Sequence, residues 1–297
     1  MPIEVWGLSA AALSALGFSL KAIFVKLGLA EGADALTLLA LRMAFSLPAF
    51  LFMAWKTGAS GMQRRDFLAL GALGFMGYYL ASLFDFIGLQ FISAGLERII
   101  LFTYPTLVLL ISAAVLKERL RARALLSLAL CYGGIALAMT QDFSLSSSPD
   151  TWRGALWVFA SALAYAIYWV GSAKVVPRLG STRLSAYASA FACAFCLGHY
   201  ALAQPRLLPD VVPKVYLYGL AMALVSTVVP IWLQVEGIRK LGSSKAAIIG
   251  TLGPVFTLFF AWLWIDEPLS FAQLSGSALV IGGVVLLGSE KKRPAKA

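Results

Sequence analysis

The chain has 297 residues, of which 60% are hydrophobic and only 13% are charged, and its mean hydropathy is +0.84. A soluble globular protein has about a quarter of its residues charged, because its surface must be hydrated. This composition excludes a soluble enzyme or binding domain, and it also excludes a disordered chain. In a soluble protein, the formal net charge of +10 would suggest binding to nucleic acid. Here we expect the charge to reflect membrane topology, and we expect no nucleic-acid partner.

Long apolar runs recur along the chain, and each can cross the roughly 30 Å hydrocarbon core of a bilayer as a helix. Runs of this length without alternating polarity indicate helices and not the strands of a barrel. The connections between them are too short to hold a separate soluble domain. The sequence therefore predicts an all-α membrane protein with ten transmembrane helices. The predicted spans are 5–27, 35–55, 67–89, 98–116, 123–140, 153–173, 184–203, 215–236, 246–264 and 271–289.

The basic residues alternate from one connection to the next. Seventeen of the 24 lysines and arginines lie in one set of alternate connections and in the C-terminal tail. Cytoplasmic loops carry the excess of such residues in membrane proteins. We therefore expect both termini in the cytoplasm and a location of the bacterial inner-membrane type. The opposite set of connections holds only Arg98, Arg153, Arg206 and Lys214.

The two halves of the sequence repeat each other at a shift of 149 residues, without a gap across more than fifty positions. The predicted repeats cover residues 5–140 and 153–289. Each holds five helices, an odd number, so the second repeat enters the membrane upside down, as in many secondary transporters. The clearest matches are Pro105 with Pro254, Glu118 with Glu267, and Gly133-Gly134 with Gly282-Gly283.

The spacing of this proline, glutamate and glycine pair resembles the EamA-type repeat of the drug/metabolite transporter superfamily. Within that superfamily the chain is similar to bacterial exporters of amino acids and related metabolites, including the YddG-type aromatic amino-acid exporters. The resemblance covers nearly the whole chain. It implies a ten-helix carrier whose cavity is lined by the first, third and fourth helices of each half, with the fifth helices at the periphery.

The repeated proline and glutamate also have local structural consequences. Pro105 and Pro254 remove a backbone donor in mid-span and should kink or break their helices, as hinges or next to a cavity. Glu118 and Glu267 lie where one span ends and the next begins. We expect each carboxylate to cap the N-terminus of the following helix.

Ionisable residues inside spans are costly and are candidates for function. Five of them lie at a similar depth toward the outer side of the first half. They can neutralise each other, for instance Asp85 with Lys21 or Arg42, or form a charged vestibule that meets the substrate. Asp85 and Glu97 are in addition candidates for proton coupling. The five residues are Lys21, Arg42, Asp85, Glu97 and Arg98.

Aromatic and hydroxyl-bearing residues within the spans are the candidates for the cavity wall. Three of them on the sixth helix follow i, i+3, i+4 spacing and so face one direction. Such a wall suits a small ligand with an apolar or aromatic side chain and a modest polar head. The candidate substrate-binding residues are Tyr78, Tyr79, Ser82, Tyr104, Tyr165, Tyr168, Trp169, Thr227, Trp232 and Thr251.

Motifs for catalysis are missing from the sequence. Its single histidine, His199, has no partner ligands at metal-binding spacing, and there is neither a GxSxG elbow nor a P-loop. We therefore predict that the protein is not an enzyme and that it holds no metal and no cofactor. We predict instead a secondary transporter that exports small metabolites, most of all amino acids. The alternatives are an exporter of other small metabolites or amphipathic drugs and, more distantly, a membrane-embedded enzyme. The expected partners are the substrate and the lipid bilayer, with the chain a monomer or weak homodimer.

Overall fold

The computed structural model describes residues 3–116, 122–145, 150–204, 210–241 and 252–288. All regular elements in these ranges are helical, and two of them are short π-helical segments, named π1 and π2. The helices are α1 (Ile3–Ala30), α2 (Ala35–Thr57), α3 (Arg64–Gly74), π1 (Phe75–Leu80), α4 (Ala81–Gly88), α5 (Ala94–Leu101), α6 (Tyr104–Leu116), α7 (Ala122–Leu145), α8 (Asp150–Leu179), α9 (Ser181–Ala203), α10 (Pro213–Ala223), π2 (Leu224–Val228), α11 (Val229–Leu241), α12 (Leu252–Ile265) and α13 (Phe271–Gly288).

Within the described ranges, seven helical rods are long and apolar enough to cross a membrane. Three further apolar helices are shorter, at Ala129–Ala138, Leu252–Ile265 and Phe271–Gly283. The prediction of an all-helical, multi-pass chain agrees with this architecture, while ten spanning helices remain a prediction. The seven rods are Val5–Ala30, Ala35–Thr57, Arg64–Gly88, Ala94–Ser112, Asp150–Ser172, Ser181–Ala203 and Pro213–Gln234.

The two π-helical segments occupy matching places in the two halves. π1 begins at Phe75 and π2 begins at Leu224, a separation of 149 residues that equals the shift of the sequence repeat. Each lies in the middle of a membrane-length rod, between α3 and α4 or between α10 and α11. π-Helical turns are rare and are enriched at functional sites. Their shared register is a backbone similarity between the halves that does not depend on residue identity.

The fourth predicted span is broken just before Pro105. The interruption lies at Phe102 and Thr103, and Pro105 is the second residue of α6. The Thr103 hydroxyl donates to the Ile100 carbonyl oxygen at 2.7 Å, and the Thr106 hydroxyl donates to the Thr103 carbonyl oxygen at 2.7 Å. The Ile100 and Thr103 carbonyl oxygens also accept backbone N–H groups, so the hydroxyls add a second kind of donor at the break. Because proline has no N–H, the carbonyl of Leu101 lacks its usual donor four residues on.

Glu267 caps a helix other than the expected one. Its two carboxylate oxygens each accept the backbone N–H of Ala94, the first residue of α5, at 3.0 Å. The following helix, α13, receives its cap from the Ser270 hydroxyl, which accepts a first-turn N–H at 3.0 Å. Asp266 adopts a left-handed φ of 54°, and this turn redirects the chain after α12. The expectation that Glu267 caps the following helix was therefore wrong, and Glu118 lies outside the described residues.

Glycine allows the last helix of each half to approach the other closely. A Cβ on Gly134 of α7 would lie 2.6 Å from the carbonyl oxygen of Gly276 on α13, and a Cβ on Gly276 would lie 2.5 Å from that of Gly134. Small residues permit such contact between membrane helices. Gly133 and Gly282 have no neighbouring atom within 4 Å of a built Cβ. Close packing was expected from both glycine pairs, but Gly133 and Gly282 take no part in it.

Candidate functional site

Five aromatic side chains from three elements meet in one group, the aromatic cluster: Tyr78, Tyr104, Tyr165, Tyr168 and Trp169. The hydroxyls of Tyr78 on π1 and Tyr168 on α8 are hydrogen-bonded at 2.9 Å, and their ring centroids are 4.9 Å apart. Tyr104, at the start of α6, lies 5.0 Å from the Tyr165 ring and 6.3 Å from the Trp169 ring. The structure thus brings together half of the ten predicted substrate-binding residues.

The aromatic cluster is partly open. Trp169 keeps 36% of its surface exposed, and Tyr104 and Tyr165 are half-buried. Leu156, Leu163 and Ile167 form an exposed apolar stripe on one face of α8, while the exposed Val176 lies on the face of Trp169. At about 100° per residue, Trp169 lies roughly 120–160° around the helix from that stripe. Its exposed surface therefore belongs to a different face of α8.

π1 directs two adjacent tyrosines toward different helices. A Cβ on Gly77 would overlap the ring of Tyr168, so the glycine gives that ring its place against π1. Tyr79 points to α9, where its hydroxyl is hydrogen-bonded to His199 Nδ1 at 2.8 Å. Tyr79 is thus placed outside the aromatic cluster. No local sequence pattern indicates its partner, because His199 is 120 residues away.

Two acids share one lysine in the interior. Lys21 Nζ lies 2.5 Å from Asp85 Oδ2 and 3.1 Å from Glu97 Oε1, and both acidic side chains are almost fully buried. This geometry matches the expected mutual neutralisation of Asp85 with Lys21. Buried charges are tolerated only when they are paired in this way.

Arg42 binds two of the residues that were expected to line the cavity. Its Nε donates to Thr227 Oγ1 at 2.8 Å, and its Nη1 donates to Ser82 Oγ at 3.3 Å. The guanidinium also lies 5.6 Å from the centre of the Phe86 ring. Thr227 and Ser82 are therefore ligands of a buried arginine, which connects π2 with α4.

Arg98 lies between the paired acids and the aromatic cluster. Only 6% of the residue is exposed, and its Nε has no hydrogen-bond partner among the residues that the structure describes. The guanidinium carbon is 5.7 Å from the centre of the Phe102 ring, and that ring is 6.2 Å from Tyr104. The sequence does not indicate this position for Phe102, because no sequence feature distinguishes it from the apolar residues around it.

Other predicted site residues lie elsewhere. Trp232 is 52% exposed and shares its face with Val225 and Val229, which are exposed as well. Thr251 lies outside the described residues. Pro254 is buried as the third residue of α12, and the structure does not describe the segment before that helix. Within the described ranges, no group of three His, Cys, Asp or Glu side chains could hold a metal ion.

One further ion pair joins the rod that carries π1 to α8. Asp66 in the first turn of α3 is completely buried and is paired with Arg178, whose Nη1 donates to Asp66 Oδ2 at 2.6 Å. The sequence suggested only a topological role for Arg178. The pair fastens the end of α8 next to the helix that supplies Tyr78.

Comparison with known proteins identifies the family. The EamA-like transporter family matches residues 5–140 and 152–289. The chain belongs to the EamA-like transporter family. Uncharacterized transporter YcbK of Bacillus subtilis is 30% identical over 285 residues, which are 93% of this chain and 90% of that protein. An uncharacterized transporter of Archaeoglobus fulgidus is 25% identical over 96% of this chain and 97% of its own length.

A solved structure supports the same fold. It superposes with a TM-score of 0.64 at 19% identity and covers 94% of this chain and 96% of its own. The family match, the transporter relatives and the apolar helices make this EamA-like chain a multi-pass membrane transporter and not an enzyme. The predicted family is thereby confirmed. The names of these relatives describe them as transporters and name no substrate. The resemblance to YddG-type exporters is therefore used only in the proposal below.

Proposed function

We propose that this EamA-like transporter exports small metabolites, most of all amino acids with apolar or aromatic side chains. The aromatic cluster carries the proposal. The partly exposed rings of Tyr104, Tyr165 and Trp169 offer stacking surface, and the tyrosine hydroxyls offer a few donors and acceptors. A pocket of this composition binds ligands that are mostly apolar and carry a small polar head. Sugars and nucleotides, which need many polar partners, are poorer matches.

Transport is proposed to follow alternating access between two inverted five-helix repeats, residues 5–140 and 153–289. The matching registers of π1 and π2 support this relation. The break at Phe102 and Thr103, before Pro105, provides a place where the inner part of the fourth span can bend. In inverted-repeat carriers the two halves rock around a site near the midplane. Both termini are proposed to be cytoplasmic in a bacterial inner membrane.

A substrate panel in liposomes tests this function. Liposomes containing only the purified chain are loaded with labelled amino acids, nucleosides, sugars or amphipathic drugs, and efflux is compared with that from protein-free liposomes. We expect faster efflux of apolar and aromatic amino acids. Preferential movement of sugars or nucleosides would contradict the amino-acid assignment, and consumption of a compound without movement would favour an enzyme.

The inverted topology is tested by reporter fusions. Fusions after Gln141 and after Ala297 follow five and ten predicted helices, so their reporters should lie on opposite sides of the membrane. Activity of a cytoplasmic reporter at both positions would contradict the two odd-numbered repeats.

A proton-coupled mechanism is a second proposal, and it rests on Asp85 and Glu97. Both acids contact Lys21, and Asp85 Oδ1 and Glu97 Oε2 are buried without a hydrogen-bond partner among the described residues. Two carboxylates that share one ammonium leave room for one proton. Replacement of both acids by amides should abolish the response of efflux to an imposed pH gradient. An unchanged response would exclude coupling through this pair.

A further inference from the structure

We infer that the ligand is a carboxylate and that Arg98 is its counter-ion, with the ligand's apolar part in the aromatic cluster. The inference rests on the proposed function and specifies the polar end of the substrate. It depends on three observations: the Arg98 Nε that has no hydrogen-bond partner among the described residues, the charge balance around it, and its position beside the aromatic rings.

The first observation is that Arg98 is buried with unused hydrogen-bonding capacity. The residue is 6% exposed, and its Nε has no hydrogen-bond partner within the described part of the chain. Nearby, both acids are engaged by Lys21. An arginine has five N–H donors in a planar fork, which fits the two oxygens of a carboxylate. Removal of one partner from a buried charge pair is strongly unfavourable, so a buried arginine with a spare Nε–H is prepared for an anion.

The second observation is the charge balance of the interior. Lys21, Arg42 and Arg98 oppose Asp85 and Glu97, so these five side chains have one positive charge in excess when all are ionised. A further carboxylate, that of Glu267, lies at the start of α5 and accepts the backbone N–H groups of Ala94 and Gly95. Arg42 donates to two neutral hydroxyls, which do not offset its charge. One bound carboxylate group would offset this excess at Arg98, whereas a ligand with an ammonium and no carboxylate would raise the charge further.

The third observation is a continuous path of neighbouring side chains from the guanidinium to the aromatic cluster. The Arg98 guanidinium carbon lies 5.7 Å from the Phe102 ring, which lies 6.2 Å from Tyr104. Gly253 of α12 borders the path, because a Cβ there would lie 3.3 Å from Phe102 and 3.5 Å from an Arg98 Nη. Tyr104 then contacts Tyr165 at 5.0 Å between ring centres. A carboxylate at Arg98 thus places a short attached side chain beside these rings.

A matched pair of ligands tests the inference without a variant. 3-Phenylpropanoate and 3-phenylpropanamide share a ring and a chain length but differ in charge. Their affinities for the purified full-length chain are compared by ligand-induced thermal stabilisation. We expect the acid to bind at least tenfold more tightly than the amide. Equal affinities, or tighter binding of the amide or of phenethylamine, would overturn the inference.

Variants then locate the preference. Arg98→Gln should reduce acid binding at least tenfold and leave amide binding within twofold, which also shows that the variant is folded. Arg98→Lys retains the charge without the fork and should recover part of the acid affinity. The matched control is Arg153→Gln, at an exposed arginine on α8, which should keep the full preference. An acid preference that persists in Arg98→Gln would overturn the inference.

The two proposals can fail separately. If liposomes transport apolar amines or neutral drugs but the chain binds no carboxylate, transport stands and the role of Arg98 is wrong. If the acid is bound through Arg98 but nothing is moved across the membrane, the subsite stands and the proposed transport is wrong.

Discussion

The two halves of this EamA-like transporter share a backbone pattern but differ in chemistry. In the first half Lys21 contacts two buried acids, and two arginines lie nearby. The repeat shifts of 147 residues for the first helix and 149 for the third and fourth place uncharged residues at four of these five positions. Lys21 corresponds to Tyr168, Asp85 to Gln234, Glu97 to Ala246 and Arg98 to Ala247.

The difference shows that matching registers in the two halves need not carry matching side chains. The registers of π1 and π2 match, yet Gly77 of π1 corresponds to Ser226 of π2. The glycine makes room for the Tyr168 ring, while Thr227, next to Ser226, accepts a hydrogen bond from Arg42. One half therefore contributes the charges, and α8 of the other half contributes most of the aromatic cluster.

The largest effect on the free energy of unfolding is expected for the charged residues of the first half. Lys21→Met leaves Asp85 and Glu97 buried without their shared cation, and loss of one partner from a buried ion pair costs about 3–5 kcal/mol. Denaturant unfolding of the purified chain in micelles measures the change in free energy. Lys214→Met is the control, because its pair with Glu31 is exposed and surface pairs contribute little. Equal stability of the two variants would contradict the pairing.

An intermediate effect is expected where π1 and π2 differ. Gly77→Ala places a Cβ into the Tyr168 ring, and forced overpacking of this kind costs about 1–3 kcal/mol. Ser226→Ala, at the equivalent position, removes a buried hydroxyl that has no partner among the described residues and should leave stability nearly unchanged. The same unfolding assay compares them. If Ser226→Ala were the more damaging change, the described packing of π1 would be wrong.

The smallest effect on the free energy of unfolding is expected for a hydroxyl pair within the aromatic cluster. Tyr168→Phe keeps the ring and removes the hydroxyl that bonds Tyr78 at 2.9 Å. A net loss of about 0.5–1.5 kcal/mol is typical for such a hydrogen bond. Tyr78→Phe removes the other hydroxyl, so a double-mutant cycle measures the coupling between them. Additive effects of the two changes would show that the hydroxyls do not interact.

The sequence predicted an all-helical, multi-pass chain and the five residues that meet in the aromatic cluster, but few of the contacts that candidate residues make. Apolar runs and basic connections indicate spans directly, because the bilayer imposes length and charge rules. The spacing of Tyr165, Tyr168 and Trp169 indicated one shared face. The hydrogen bond between Tyr79 and His199 joins residues that are 120 positions apart, and no local sequence pattern reveals it. Glu267 was expected to cap the next helix and instead binds α5, because its partner depends on tertiary packing.

Uptake of labelled L-phenylalanine tests the role of the aromatic cluster most directly. Liposomes containing wild type, Tyr165→Ala or the control Trp55→Ala are compared at equal protein content; Trp55 is 77% exposed near the end of α2. We predict an initial rate at least tenfold lower for Tyr165→Ala and within twofold of wild type for Trp55→Ala. If Tyr165→Ala takes up phenylalanine as fast as the wild type, the assignment of the aromatic cluster as the substrate site is contradicted.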